Sequence, residues 1–377
     1  MVVISTDNLA RELSKTNDVY VVCPDEGIFN DEELPYKVIR IKSHKIPFME
    51  YKIVNIKGEF SKEYKSFMKI KFDIVHIESP FNIGKLGIKI SKDKNIPCIG
   101  TLHTRFDYEV GRIIKNKFLV NYITKKIINV FNKTDKCIVV NDPLVDEIKK
   151  YGYKYEPVVI YNGTDMNPLR HKKEKIDKVN KLYNLNENDT VLLFVGRIID
   201  IKNIFFLLES LKLLKEDNFK FKMLFVGEGP ESDKLKNMID KYNMNDCVIL
   251  TGKITDRVLL SSIYLRSNLL LFPSVFDTSS LVRIEVSVNE TPGLFIEESM
   301  GGMTVKDNYN GYLSKEDIYL YKNRIKEIMS DKKQLFMVSK RAKRTLGMSY
   351  SNVAKKINSL YLEEIENKKL KCYRGIK

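Results

Sequence analysis

The sequence predicts an α/β protein of two domains, each a parallel sheet with helices on both faces. Three observations carry this. At 377 residues the chain exceeds the usual size of one hydrophobic core. Short apolar runs alternate with amphipathic segments through both halves, as in parallel strands joined by crossover helices. Between the halves, residues 166–188 form a polar, charged stretch of low apolar content that reads as a linker.

Taken in order, the first half opens with an amphipathic segment at 9–15, followed by strands expected at 19–23, 74–77, 97–101, 138–140 and 157–160. A further amphipathic segment at 145–151 lies between the last two of these strands. The second half repeats the rhythm with strands at 191–195, 222–226, 247–251, 269–272 and 293–296. A long helix is expected at 349–369, where Val353, Ile357, Leu360, Tyr361 and Ile365 recur at three-to-four spacing. A hydrophobic fraction of 43%, with 10% aromatics, supplies both cores. There is no solenoid period and no low-complexity linker. No apolar run reaches the roughly 18 residues of a membrane span, and no secretory pattern opens the chain.

The formal charge of +15 invites a nucleic-acid partner. No helix-turn-helix, zinc-finger or RNP pattern supports one, so none is expected, and an anionic membrane surface fits the charge at least as well. The five cysteines are scattered without a C-x-x-C pair and the four histidines are equally dispersed, which argues against structural zinc. A reducing cytoplasm suits such thiols. The expected location is therefore cytoplasmic, with room for peripheral contact at the inner membrane face.

The chemistry concentrates in residues 271–285, LFPSVFDTSSLVRIE. A strand stops at Pro273 and Ser274, a polar loop follows with Asp277, Thr278, Ser279 and Ser280, and a helix then begins. Free N–H groups at such a helix start suit a phosphate or a sugar hydroxyl. Asp277 and Glu285, eight positions apart, flank the loop. Upstream, the strand at 191–195 ends at Gly196, with Arg197 and Lys202 in the turn and helix start beyond. Ligands of open α/β sheets bind outside the carboxyl ends of strands, and two cations there would hold a diphosphate. His103 also follows an apolar strand, although a satisfied structural histidine fits the same position. The run Val226-Gly-Glu-Gly-Pro230 lacks the third glycine of a dinucleotide loop and places proline where its helix would start. No Asp-x-Asp pair stands where a metal would be needed, so neither metal nor cofactor is expected. Residues 112–133 read as one helix, apolar on one side and basic on the other; an interfacial helix and a core-packed helix with solvated lysines both fit.

In order and spacing these segments resemble the retaining nucleotide-sugar glycosyltransferases of family 4, which have the GT-B fold. VGRIIDIKN, FKMLFVGEGPESDKLK, FPSVFDTSSLVRIE and VKDNYNGYL are similar to that family's segments in the second half. VISTDNLARELSK, FDIVHIESPF, GTLHTRFDYEV and VIYNGTDM have counterparts in the first. The resemblance implies two Rossmann-like, doubly wound domains facing a cleft. Residues 1–167, completed by the C-terminal helix 350–377, would form the acceptor side, and 168–349 the nucleotide-sugar side.

The same resemblance implies roles. Arg197 and Lys202 would stabilise the leaving diphosphate, aided by Gly196 and by N–H groups around Ser279, Ser280 and Leu281. Glu285 would accept from ribose hydroxyls, Asp277 would hold the transferred sugar, and His103 would lie beside the hexose. Arg105 and Asp107 are candidates for the acceptor side or for an ion pair, and the turn at 162–165 is a candidate hinge. The implied donor is a nucleotide sugar, foremost a UDP-sugar; the acceptor is a lipid or a cell-envelope glycan. Helices like 112–133 occur in members that glycosylate diacylglycerol.

Several positions depart from the family pattern. The strand and glycine-rich loop that open family members have no counterpart ahead of the first helix, so the front strand is expected to be missing. Glu78 stands where many relatives have histidine, Asp277 replaces glutamate, Ser279 and Ser280 replace Phe-Gly, and Glu290 and Gly293 interrupt a small-residue run. A truncated, non-catalytic nucleotide-sugar-binding or partner-binding protein is the competing reading. An in-frame strand and glycine-rich loop upstream would discriminate against it.

Overall fold

The computed structural model describes residues 2–25, 30–45, 52–54, 62–166, 169–275 and 281–373. The chain divides into two compact units, Met1–Asn162 with Tyr350–Lys377, and Gly163–Ser349.

The first unit opens with α1 (Val2–Leu13), β1 (Tyr20–Pro24), β2 (Lys37–Ile41), β3 (Ser43–Lys45), β4 (Lys52–Val54) and α2 (Lys62–Lys69). It continues with β5 (Val75–Ile77), α3 (Asn82–Asp93), β6 (Cys98–Leu102), α4 (Phe106–Ile113) and α5 (Lys117–Phe131). β7 (Lys136–Val139), α6 (Pro143–Lys150) and β8 (Val158–Val159) complete its first pass. The second unit comprises α7 (Lys172–Leu182), β9 (Val191–Val195), α8 (Ile204–Glu216), β10 (Lys222–Val226), α9 (Ser232–Lys241), β11 (Val248–Gly252) and α10 (Arg257–Arg266). It ends with β12 (Leu269–Phe272), α11 (Leu281–Val288), β13 (Gly293–Ile296), β14 (Tyr312–Ser314), α12 (Ile318–Ser330) and α13 (Lys332–Thr345). α14 (Tyr350–Tyr373) returns to the first unit.

In the second unit the six strands run in the order β11-β10-β9-β12-β13-β14, and every pairing is parallel. The side-chain period of two sorts β9 cleanly. Leu192 and Phe194 enter one core with α8, α9 and α12 residues such as Leu207, Leu235 and Ile325. Val191, Leu193 and Val195 enter the other with Val179 of α7, Ile263 of α10 and Val286 of α11. Both faces are covered, which is why β9 and β12 read as unbroken apolar runs.

The first unit carries a parallel sheet β5-β6-β7-β8 and a separate parallel pair β1-β2; no ladder among the described residues joins them. The two still share a core, where Ile41 and Val54 pack with Phe67, Leu86 and half-buried Val22 and Val75. α14 belongs to this unit by its contacts: Asn358 accepts from Asn17 of the α1 end at 3.2 Å, and Tyr361 meets His76 of β5.

Two expectations are corrected. The stretch 166–188 is not a plain linker: it contains α7, whose Val179 and Asn180 are buried and whose Asn180 accepts from Arg266 of α10. Its outer face is charged, so apolar content undercounts it. The segment 112–133 is not one helix. Arg112 lies in the last turn of α4, which ends at Ile113; the backbone extends at Ile114, and Asn116 starts α5 by accepting from the N–H groups of Phe118 and Leu119. The β3-β4 antiparallel pair was also not foreseen.

Candidate functional site

The strand order of the second unit reverses between β9 and β12: successive strands leave β9 on one side through β10 and β11, and return on the other from β12 to β14. The crevice beyond the carboxyl ends of β9 and β12 is therefore the topological switch point, where open α/β sheets take ligands. Gly196 and Arg197 leave β9 there, and Pro273 and Ser274 leave β12.

Main chain fixes the turn after β9. Gly196 N–H donates to Val226 O at 3.0 Å, Ile198 N–H to Glu228 O at 3.0 Å, and Glu231 N–H to Ile198 O at 3.2 Å. The backbones of this turn and the Gly227–Gly229 turn lie in contact. A Cβ at Gly227, whose φ is +144°, would stand 1.8 Å from Gly196 O, and one at Gly229 would stand 2.1 Å from Ile198 O. Glycine at both positions is thus what allows the approach. Arg197 sits exposed on that turn.

Lys202 ends a 3-10 turn, Asp200–Lys202, before α8. Its Nζ lies 5.3 Å from the centroid of Phe272, the last residue of β12. The next residue, Asn203, adopts a left-handed conformation with φ of 56° and donates from Nδ2 to Pro273 O at 3.4 Å and Glu316 Oε1 at 2.7 Å. These contacts carry Lys202 from the β9 side of the switch point to the end of β12. Asp277, Ser279 and Ser280 lie outside the described residues; Leu281 is the first residue of α11.

Glu285 is buried on α11, and both its oxygens are held. Arg257 Nη2 donates to Oε1 at 2.8 Å and the Tyr264 hydroxyl donates to Oε2 at 2.8 Å. Arg257 also grips Asp165, through Nε at 3.1 Å and again through Nη2, so the turn at 162–165 is tied to the Glu285 carboxylate. Burial works against the Arg257 charge, but Glu285 and Asp165 outweigh it and raise the guanidinium above its ordinary value. Burial, reinforced by Glu285, raises the Tyr264 hydroxyl well above its usual range, so it remains a donor. Sequence reasoning missed Arg257 and Tyr264. Neither belongs to a motif, and only the packing of α10 on α11 brings them to Glu285.

The first-unit candidates fall in two groups. His103 follows β6, is buried, and its Nε2 meets Glu78 Oε2 at 2.5 Å. Arg105 pairs bidentately with Asp107, at 2.6 and 3.2 Å, and reaches Glu147 at 3.4 Å. Burial alone would raise the Asp107 carboxyl, but the Arg105 guanidinium holds it below its ordinary value. Of the two roles read for Arg105 and Asp107, the geometry displays the ion pair. Among the described residues, no three His, Cys, Asp or Glu side chains form a metal-binding group, and no helix is long and apolar enough to cross a membrane.

Residues 2–167 match the family described as Glycosyltransferase Family 4, and residues 175–345 match Glycosyl transferases group 1. The chain is 26% identical to the alpha-monoglucosyldiacylglycerol synthase of Acholeplasma laidlawii over 98% of its own length and 95% of that protein. It is 25% identical to an Escherichia coli UDP-Gal:alpha-D-GlcNAc-diphosphoundecaprenol alpha-1,3-galactosyltransferase, covering 93% and 90% of the two chains. Among solved structures, Anabaena HepE in complex with UDP superposes with a TM-score of 0.77 over 96% of each chain at 15% identity. A Rickettsia africae glycosyltransferase superposes with a TM-score of 0.75 over 97% of each chain at 18% identity.

Proposed function

This chain belongs to the family 4, group 1 glycosyltransferases of the GT-B fold, and on that premise we propose that it moves a hexose from a nucleotide sugar, foremost a UDP-sugar, onto a hydroxyl of a membrane lipid or cell-envelope glycan, with retention at the anomeric carbon. The carrying observation is the switch-point crevice, with Lys202 drawn to the end of β12 and Glu285 fixed on the helix that follows.

The chemistry follows from charge. Cleaving the sugar–phosphate bond leaves negative charge on the diphosphate, and cations fixed in advance stabilise it without reorganising. Arg197 and Lys202 take that role, with N–H groups at the start of α11. The diphosphate oxygen freed at the leaving side accepts the proton of the incoming hydroxyl, and the new bond forms on the same face. Glu285 receives ribose hydroxyls on its remaining lone pairs, oriented by Arg257 and Tyr264. Asp277 orients the hexose. The E. coli relative supports the UDP donor by its name, and the Acholeplasma relative supports a diacylglycerol-type acceptor.

Peripheral membrane contact belongs to the same reading. On α5, Phe118, Leu119 and Tyr122 are exposed beside Lys117, Lys125 and Lys126, while Thr124, Ile128 and Phe131 face inward. An apolar rim flanked by lysines suits an anionic bilayer.

Calorimetry with UDP-, GDP- and ADP-sugars tests the donor reading, with UDP-sugars expected to bind. Lys202→Ala removes one fixed cation and is expected to lower turnover by roughly a hundredfold, as for loss of one preorganised group on a developing charge. Absence of binding by every nucleotide sugar would overturn the proposal.

A further inference from the structure

The first unit contains a cluster of ionisable side chains at the carboxyl ends of β5 and β6, in which Glu78 has no role in the donor chemistry. Glu78 directly follows β5 and His103 directly follows β6, neighbouring parallel strands in which Ile77 pairs with Gly100. Both residues therefore stand at carboxyl ends of strands, the ligand-binding edge of such sheets. His103 Nε2 meets Glu78 Oε2 at 2.5 Å. His76 of β5 lies on the other side of the carboxylate, its Nε2 3.8 Å from Glu78 Oε1. The His76 ring is itself held, with Nδ1 2.5 Å from the Tyr361 hydroxyl of α14 and Nε2 2.6 Å from Thr101 Oγ1.

The loop carrying Glu78 is pinned as well. A Cβ at Gly84 of α3 would lie 1.8 Å from Ser79 O, so α3 touches the backbone one residue past Glu78. Burial would raise the Glu78 carboxyl, but His76 and His103 outweigh it and hold it well below its usual range, so it is an anion at neutral pH.

What this network leaves open is informative. Oε2 is engaged, whereas Oε1 makes no hydrogen bond among the described residues, and the Glu78 side chain retains 16% exposure. His103 Nδ1 is buried without a partner. A carboxylate serving only to neutralise histidine needs neither exposure nor a spare oxygen. An ionised carboxylate can only accept, so its ligand must supply O–H or N–H groups.

We propose that Glu78 is an acceptor-recognition residue whose Oε1 receives a hydrogen bond from an acceptor hydroxyl, with His103, His76 and Tyr361 holding the carboxylate in position. This rests on the glycosyl-transfer reading and deepens it. The negative charge selects a neutral polyol end, such as a glycerol or sugar hydroxyl, and repels a phosphate from that subsite.

The experiment uses the full chain, a UDP-sugar and two acceptor arms: diacylglycerol in phosphatidylglycerol vesicles, and soluble glycerol and methyl hexosides. Transfer in the first arm identifies a lipid source for the hydroxyl, and transfer in the second a soluble one. Glu78→Gln keeps the shape and removes the charge. It is expected to raise the acceptor KM by about tenfold to a hundredfold, the range for a hydrogen bond to a charged group. UDP affinity by calorimetry should stay within about twofold, because donor residues lie elsewhere in the chain. Glu78→Asp keeps the charge but withdraws it by one methylene, and should fall between wild type and Glu78→Gln. An unchanged acceptor KM in Glu78→Gln would overturn the proposal while leaving glycosyl transfer standing. An equal loss of UDP binding would also overturn it, by showing Glu78 to be scaffold. Wild-type protein that transfers to neither arm would remove the transfer reading itself, and the proposal with it.

Discussion

Glu290 offers a stability prediction that can be worked through. It lies just past α11 with φ of +62°, and its carboxylate receives Lys172 Nζ at 3.2 Å, Lys340 at 2.5 Å and Lys343 at 2.7 Å. Lys172 opens α7 and the other two lie on α13, so one carboxylate ties both helices to the end of the helix that bears Glu285. Burial would raise its pKa, but the three ammonium groups outweigh burial and bring it to about 2, against an ordinary 4.5. Between those values the unfolded chain is protonated and the folded one is not. The carboxylate therefore stabilises the fold above the ordinary pKa and loses that contribution as pH falls toward 2. The full shift corresponds to a ceiling of about 3 kcal/mol. The lysines are 45%, 47% and 35% exposed, so water and salt screen them. About 1–2 kcal/mol is the expected remainder.

Glu290→Gln should accordingly lower stability by about 1–2 kcal/mol at pH 7, or roughly 4 °C in the melting of the second unit. Urea titrations of both proteins at pH 7, 4.5 and 2.5 measure the gap directly. It should be full at pH 7, smaller at 4.5 and nearly closed at 2.5, and about 1 M salt should shrink it at pH 7. A gap of equal size at all three pH values would refute the electrostatic account and leave a packing effect in its place.

Two other predictions concern Glu285 and the proposed membrane contact of α5. Tyr264→Phe removes the hydroxyl 2.8 Å from Glu285 Oε2; it should cost about 1.5–3 kcal/mol of stability and raise the UDP-sugar KM. Thermal melts and initial-rate kinetics check both parts, and unchanged donor KM would show that Arg257 alone orients Glu285. Phe118→Ser combined with Lys125→Glu and Lys126→Glu should weaken sedimentation with phosphatidylglycerol vesicles, at roughly 1 kcal/mol for each basic residue lost from the surface. Equal binding by wild type and variant would remove α5 as the contact.

The sequence announced the second unit better than the first, for a physical reason. β9, β12 and β13 are central strands of a sheet covered on both faces, so they appear as uninterrupted apolar runs with sharp ends. β3 and β4 are three-residue strands of Ser-His-Lys and Lys-Ile-Val, too short and polar to carry a period. α7 has two buried positions in an otherwise charged segment, which composition reads as linker. In the candidate site, Gly196, Lys202 and Glu285 could be proposed from sequence because strand ends and helix starts have local signatures. Arg257 and Tyr264 were not, since their partner lies 28 and 21 residues away and nothing local marks the pairing. Glu78 was visible only as an unusual residue after a strand; its tie to His103 spans 25 residues and needed the β5-β6 register.

The glycine contacts behind Arg197 bear on how a mutational survey of this protein must be interpreted. Two loops touch there through main chain alone, at Gly227 and Gly229, where an added methyl would meet a carbonyl oxygen at 1.8 and 2.1 Å. Alanine scanning assumes that each substitution subtracts atoms and reveals what the missing ones did. At these two positions it adds them. Damage recorded there would report trespass on a neighbouring loop, and a residue with no side chain to lose would score as indispensable.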